Sequence, residues 1–158
     1  MWKVEEKLKP VLSGLKKGLG DRLAAVALFG SRARGDAMPQ SDWDIFVLAE
    51  GLPDKPFRRH LLLKRMIPPR WRGKVSIIAK TPEEFERYLA GLFLDIAVDG
   101  VILFDPQGYL SQKLDLIRRL IKQKGLTREK RGRDLIWRWK RYPGPNWSIE
   151  WSDIDDKS

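Results

Sequence analysis

The apolar positions of this chain change period along its length, and the changes mark its elements. Val4, Leu8, Leu12 and Leu15 recur at helical spacing, which predicts an amphipathic helix over Trp2 to Leu19 with a bend at Pro10. Gly18 and Gly20 end it. Leu23 to Phe29 and Trp43 to Ala49 are short, continuous apolar runs rich in β-formers, so both read as buried strands. Both faces of the second run are apolar beyond Asp44, which predicts a central strand. Glu50 to Pro56 is a loop, Phe57 to Ile67 a basic helix stopped by Pro68 and Pro69, and residues 70–74 a basic turn. A third strand starts at Val75. Thr81, Pro82 and Glu84 form a capping-box signature for a helix running through Phe85, Tyr88, Leu89 and Leu92 to Val98. Val101 to Phe104 is a short strand, and Leu110 to Lys124 is amphipathic again.

After Gly125 the character changes. Arg128, Lys130, Arg131 and Arg133 precede Trp137, Arg138, Trp139, Lys140, Arg141 and Tyr142, then Trp147, Trp151 and an acidic end, Asp153 to Asp156. We divide the chain into a domain of residues 1–124 and a basic, Trp-rich extension of residues 125–158, expected to be helical. Two readings of the extension stay open. Aromatics between arginines suit stacking on bases; they equally suit packing over the core or into a dimer or partner interface.

Composition narrows the class. The 158 residues fit one domain with one sizeable core. No apolar stretch is long enough to cross a bilayer and no signal-peptide pattern appears, so a cytoplasmic protein is expected. With no cysteine, disulfides and thiolate metal sites are excluded, and His60 alone cannot build a multi-histidine zinc site. The 31 Lys and Arg against 21 Asp and Glu give a net charge of +10, which favours a polyanion such as nucleotide, RNA or DNA, or an acidic partner. Abundant charge and a single asparagine fit a thermophile's surface as well.

The candidate chemistry lies between the first two strands. Gly30 permits a tight turn and close approach of backbone to a ligand, and Ser31 reads as a helix N-cap. Arg32 and Arg34 add guanidinium groups suited to phosphate. Ten residues separate Ser31 from Asp42, and Asp44 follows. Residues two apart on a strand share a face, roughly 7 Å apart along the chain. Mg²⁺ takes one or two such carboxylates plus substrate phosphates. A Gly-Ser turn alone, or Asp-x-Asp alone, is a loop or a solvated strand end in most proteins. The order strand, Gly-Ser, ten residues, Asp-x-Asp, strand is much rarer.

Gly30, Ser31, Asp42 and Asp44 resemble the signature of the DNA polymerase β nucleotidyltransferase superfamily, and most closely its small stand-alone members, the minimal nucleotidyltransferases. The resemblance implies an α/β (α+β) fold, a small mixed sheet flanked by helices. It implies transfer of a nucleoside monophosphate from an NTP, ATP first, to an acceptor hydroxyl with release of pyrophosphate. Gly30 and Ser31 would hold the triphosphate, and Asp42 and Asp44 one or two Mg²⁺ ions, with Mn²⁺ as a substitute. Such members pair with small helical HEPN partners as antitoxins; a homodimer is a further expectation. The chain departs from the pattern where active members carry a third carboxylate: that position is Ser76. Asp95, Asp99 or Glu50 are candidates to supply the missing charge. The alternative is a weak or inactive nucleotide-binding protein that acts through a partner or nucleic acid.

Overall fold

The computed structural model describes residues 3–145 and 149–153. In chain order the helices are α1 (Val4–Lys7), α2 (Lys9–Leu19), α3 (Ser31–Arg34), α4 (Pro56–Met66), α5 (Pro69–Arg72), α6 (Pro82–Arg87), α7 (Gly91–Asp99) and α8 (Tyr109–Lys124). The strands are β1 (Leu23–Phe29), β2 (Trp43–Ala49), β3 (Val75–Lys80), β4 (Val101–Phe104), β5 (Leu126–Arg131) and β6 (Asp134–Trp139). A four-stranded sheet runs β3-β2-β1-β4. β1 is antiparallel to β2 and to β4, and β2 is parallel to β3. The expected mixed sheet flanked by helices is what forms.

Alternation along β2 explains its unbroken apolar run. Ile45 and Val47 face α2 and α4 and pack with Val11, Leu15 and Leu63. Phe46 and Leu48 face the opposite layer and pack with Phe85, Phe93 and Leu114. A strand covered on both faces needs apolar residues at every position, not every second one. Asp44 shares the face of Phe46 and Leu48, so it emerges where that second layer ends.

Three expectations need correction. The first helix does not bend at Pro10; it breaks at Leu8, and Pro10 sits in the first turn of α2, where its missing N–H would have had no partner anyway. Trp2 lies outside the described residues. The helix expected from Pro82 to Val98 is two helices, α6 and α7, separated by extended backbone at Tyr88 and Ala90. The aromatic core requires this. Phe85 and Phe93 touch with ring centroids 4.6 Å apart, and both meet Phe46. In one continuous helix their eight-residue separation would be about 12 Å of rise.

The third correction concerns the extension, which is a β-hairpin rather than a helix. β5 and β6 pair antiparallel from Leu126↔Trp139 to Arg131↔Asp134. Gly125 (φ 66°) ends α8, and the two-residue turn Gly132-Arg133 begins with φ 63° at the glycine. That is the arrangement a tight hairpin demands. Leu126, Trp137, Trp139 and Trp151 pack on the α6–α8 layer, and Trp151 Nε1 donates to the Phe85 carbonyl at 2.9 Å. Trp137, Trp139 and Trp151 are thus partly buried against the core of their own chain. Trp147 and the Ile154–Asp156 end lie outside the described residues.

One buried charge ties the loop after β2 to β3 and α6. Arg59 is the buried arginine, donating to the carbonyls of Pro53 (2.9 Å) and Ala79 (3.0 Å) and to Glu84 Oε1 (2.8 Å). Glu84 also accepts from the Thr81 amide, completing the predicted capping box. Burial alone would raise the Glu84 carboxyl; the Arg59 hydrogen bond and the Thr81 amide outweigh it and hold it below its ordinary value. Arg59→Ala removes the guanidinium from all three acceptors and leaves Glu84 only its Thr81 amide donor among these bonds, and urea unfolding should show a loss of about 2–3 kcal/mol at neutral pH. The part carried by Glu84 is present above its ordinary carboxyl value and disappears as pH falls through the lowered one.

Candidate active site

The site is built where β1 ends beside the start of β2. Phe29 pairs with Asp44, so the next residue, Gly30, lies against the Asp44 side chain. Gly30 adopts φ 74°, ψ −161°, a conformation almost confined to glycine. A Cβ at this position would overlap Asp44 Oδ2. Gly30 therefore serves twice: it turns the chain, and it leaves room for the carboxylate.

From Gly30 the chain makes a single helical turn, α3. The Gly30 carbonyl accepts from the amides of Ala33 and Arg34 at 3.0 Å each. Ser31 is not the N-cap expected from the sequence. Gly30 takes that position, because its extended ψ supplies the entry, and Ser31 becomes the first helical residue. Gly35 (φ 88°) ends the turn.

Asp42 is exposed and Asp44 half-buried. Burial and the neighbouring Asp42 charge raise the Asp44 carboxyl, and the Arg34 guanidinium partly offsets them. The two carboxylates are thus brought together as expected. Among the described residues no group of three or more His, Cys, Asp or Glu is arranged to hold a metal ion. The parallel register pairs Asp44 directly with Ser76. The residue beside Asp44 on β3 therefore carries a hydroxyl rather than a carboxylate.

The two arginines of α3 have different tasks. Arg32 donates to the Ser41 carbonyl (3.0 Å) and the Pro39 carbonyl (3.1 Å), and its guanidinium lies 4.7 Å from the Trp43 ring centre. Its donors hold the loop 35–41 closed against β2. Arg34 points the other way, 3.3 Å from Asp36 and 3.7 Å from Asp99.

Asp99 leads to residues that sequence reasoning did not connect to the site. Arg128 of β5 reaches Asp99 with two hydrogen bonds (2.6 and 2.8 Å) and Asp95 with one (3.1 Å). The Trp137 indole donates to Asp95 at 2.9 Å. The Asp99 hydrogen bonds outweigh burial and keep Arg128 firmly protonated. Neither Asp95 nor Asp99 is therefore a spare carboxylate for Asp42 and Asp44. Glu50 lines a cavity with Asp21 and Arg22, at the opposite end of β2. Two cavities flank the loop 35–41. One, of about 370 Å³, is lined by Arg32, Asp42, Trp43 and Lys74. The other, of about 330 Å³, lies between Ser31, Arg34 and Asp36 on one side and Lys130 and Arg133 of the hairpin on the other.

Comparison with known proteins decides what this arrangement belongs to. A family model described as a nucleotidyltransferase domain matches residues 8–126. The chain belongs to the nucleotidyltransferase family. A relative named "Putative protein adenylyltransferase MJ1305", from Methanocaldococcus jannaschii, is 30% identical over 120 residues, 73% of this chain and 82% of that protein. A crystal structure of a toxin–antitoxin with AMP-PNP contains a chain of similar fold (TM-score 0.55, 19% identity, 77% of this chain and 89% of that one). A chain in a mutant MntA–HpeT toxin–antitoxin pair is similar too (TM-score 0.53, 16% identity, 77% and 88%). In this nucleotidyltransferase the family span closes at the first residue of β5, so the rest of the β5–β6 hairpin lies beyond it. No helix among the described residues is long and apolar enough to cross a membrane.

Proposed function

We propose that this nucleotidyltransferase moves a nucleoside monophosphate from an NTP, with ATP first, to an acceptor hydroxyl and releases pyrophosphate. The observation that carries this reading is the Asp44 carboxylate seated against Gly30, with Asp42 beside it. Phosphate cradle and anionic pair are contiguous, as phosphoryl-group chemistry requires. Asp42 and Asp44 fit Mg²⁺, and Mn²⁺ in its place: they are hard oxygen donors, and burial together with the neighbouring Asp42 charge disfavours ionisation of Asp44, which a cation would offset. When bound, one or two such ions neutralise charge on the phosphate oxygens.

The chain's own residues do the rest. The Gly30–Ser31 turn and Arg34 hold the phosphates, and Arg32 positions the loop that ends at Asp42. The acceptor oxygen forms a bond to the α-phosphorus as the α–β bridging bond breaks. The electron pair leaves with pyrophosphate, and the hydroxyl proton passes to solvent, because Ser76 provides no carboxylate to take it. The name of the Methanocaldococcus relative favours ATP as donor and a protein hydroxyl as acceptor. The toxin–antitoxin neighbours, alike in fold only, favour a small HEPN-type partner as that protein.

Ser76 beside Asp44 favours one second reading: a nucleotide-binding protein with weak or no turnover, working through its partner. Pyrophosphate release in Mg²⁺, measured with each NTP and with candidate partner present, separates the two. Release above the protein-free rate supports transfer. NTP binding with no release supports the second reading.

A further inference from the structure

We infer that the β5–β6 hairpin is the outer wall of the nucleotide site, and that Lys130 and Arg133 at its tip bind the phosphate chain of the NTP. This rests on the nucleotide reading above and extends it to residues beyond the family span.

The first support is placement. Lys130 and Arg133 face Ser31 and Arg34 across the cavity of about 330 Å³. That volume lies within the range of about 300–1,000 Å³ usual for small-molecule sites. Arg133 Nη2 comes within 4.0 Å of Met38 Sδ on the loop, so the tip meets the far rim of the cavity.

The second support is rigidity. The base of the hairpin is fixed by Arg128 on Asp95 and Asp99, by the Trp137–Asp95 hydrogen bond, by Leu126 in the core and by Trp139 packed against it. The turn is only two residues long. A tip held this way has a defined position, which a binding group needs.

The third support is the charge pattern. Arg128 is neutralised by Asp95 and Asp99, and Arg131 and Arg138 lie 4.0 and 3.3 Å from Glu129. The two hairpin cations on the cavity differ. Lys130 is 62% exposed, and its one ion pair among the described residues is with Asp36, at 3.9 Å. Arg133 has no ion pair among the described residues. The cavity lining carries three cations, Arg34, Lys130 and Arg133, against the single carboxylate of Asp36, so positive charge is left over for an anion. Among the described residues that line the cavity none is aromatic, and Trp137 of the hairpin lies under Arg128 with the guanidinium 5.6 Å from its ring centre. The cavity's ligand group is therefore phosphate rather than base.

The test is calorimetric titration of the full chain with ATP, ADP and AMP in Mg²⁺. The chain carrying Lys130→Ala with Arg133→Ala should bind ATP about 30-fold more weakly, two charge-assisted contacts at a partly exposed site. AMP affinity should change by less than about 2-fold, since AMP lacks the distal phosphates. Lys130→Arg with Arg133→Lys should restore most of the loss, and the melting temperature should not move, because both residues sit at an exposed tip. Unchanged ATP affinity in the double alanine variant, with wild type binding ATP, overturns the inference and leaves the proposed function standing. Equal weakening for ATP and AMP moves the hairpin to the nucleoside and overturns it too. A wild type that binds no NTP overturns both.

Discussion

Ser76→Asp should raise the rate of nucleotidyl transfer by about 100-fold, the lower end of what a positioned proton acceptor contributes. The register makes the expectation specific. β2 and β3 are parallel and in step from Trp43↔Val75 onward, so residue 76 projects beside Asp44 on the same face. A carboxylate there can accept the proton of the attacking hydroxyl and offer a further oxygen to Mg²⁺; a serine hydroxyl does neither well. The change also has an unfavourable side. A third negative charge next to Asp44, whose carboxyl burial and Asp42 already raise, should lower the melting temperature without metal and enlarge the stabilisation given by Mg²⁺. Steady-state pyrophosphate release and melting curves with and without Mg²⁺ check both parts. A variant no faster than wild type contradicts the idea that the missing carboxylate limits this chain.

Gly30→Ala should abolish at least about 100-fold of the activity, because misplacing a reacting group by even 1 Å has effects of that size. Two separate penalties meet at this residue. Its backbone conformation disfavours any side chain by about 1–3 kcal/mol. Its added Cβ would overlap Asp44 Oδ2 and push the carboxylate aside. Gly35→Ala separates the two effects: φ is 88° there too, but nothing lies within 4 Å of a Cβ. It should lower stability by a similar amount and leave ATP binding in Mg²⁺ near wild type. If Gly30→Ala and Gly35→Ala lose activity equally, the contact between Gly30 and Asp44 is not what the site depends on.

The sheet was legible because its strands are short, apolar and bounded by glycine and charge. The register that sets Ser76 beside Asp44 was not legible; the family resemblance pointed to Ser76 only as a position on the third strand, and the parallel pairing with β2 is what brings it next to Asp44. What was hidden depends on contacts distant in sequence. The break between α6 and α7 has no glycine or proline at Tyr88 to announce it; it exists so that Phe85 and Phe93 can both reach Phe46. The hairpin carried a readable signal, the period of two in Leu135, Trp137 and Trp139 with Gly132 before it, but the density of arginine and tryptophan made helix and nucleic-acid readings attractive. Arg32 looked like a phosphate ligand because of its place after Ser31, and only the folded loop shows its donors on the carbonyls of Pro39 and Ser41. Asp95 and Asp99 looked available until Arg128 claimed both. No local pattern could bring Arg133 to Met38, 95 residues earlier.

Transfer of label from α-phosphate-labelled ATP tests the central claim most directly. Wild-type protein is incubated with the ATP, Mg²⁺ and host lysate beside the Asp42→Asn/Asp44→Asn variant. The account predicts a labelled acceptor with wild type, no label without Mg²⁺, and none with the variant. Label that persists at the same level in the variant would show that Asp42 and Asp44 do not form the active site.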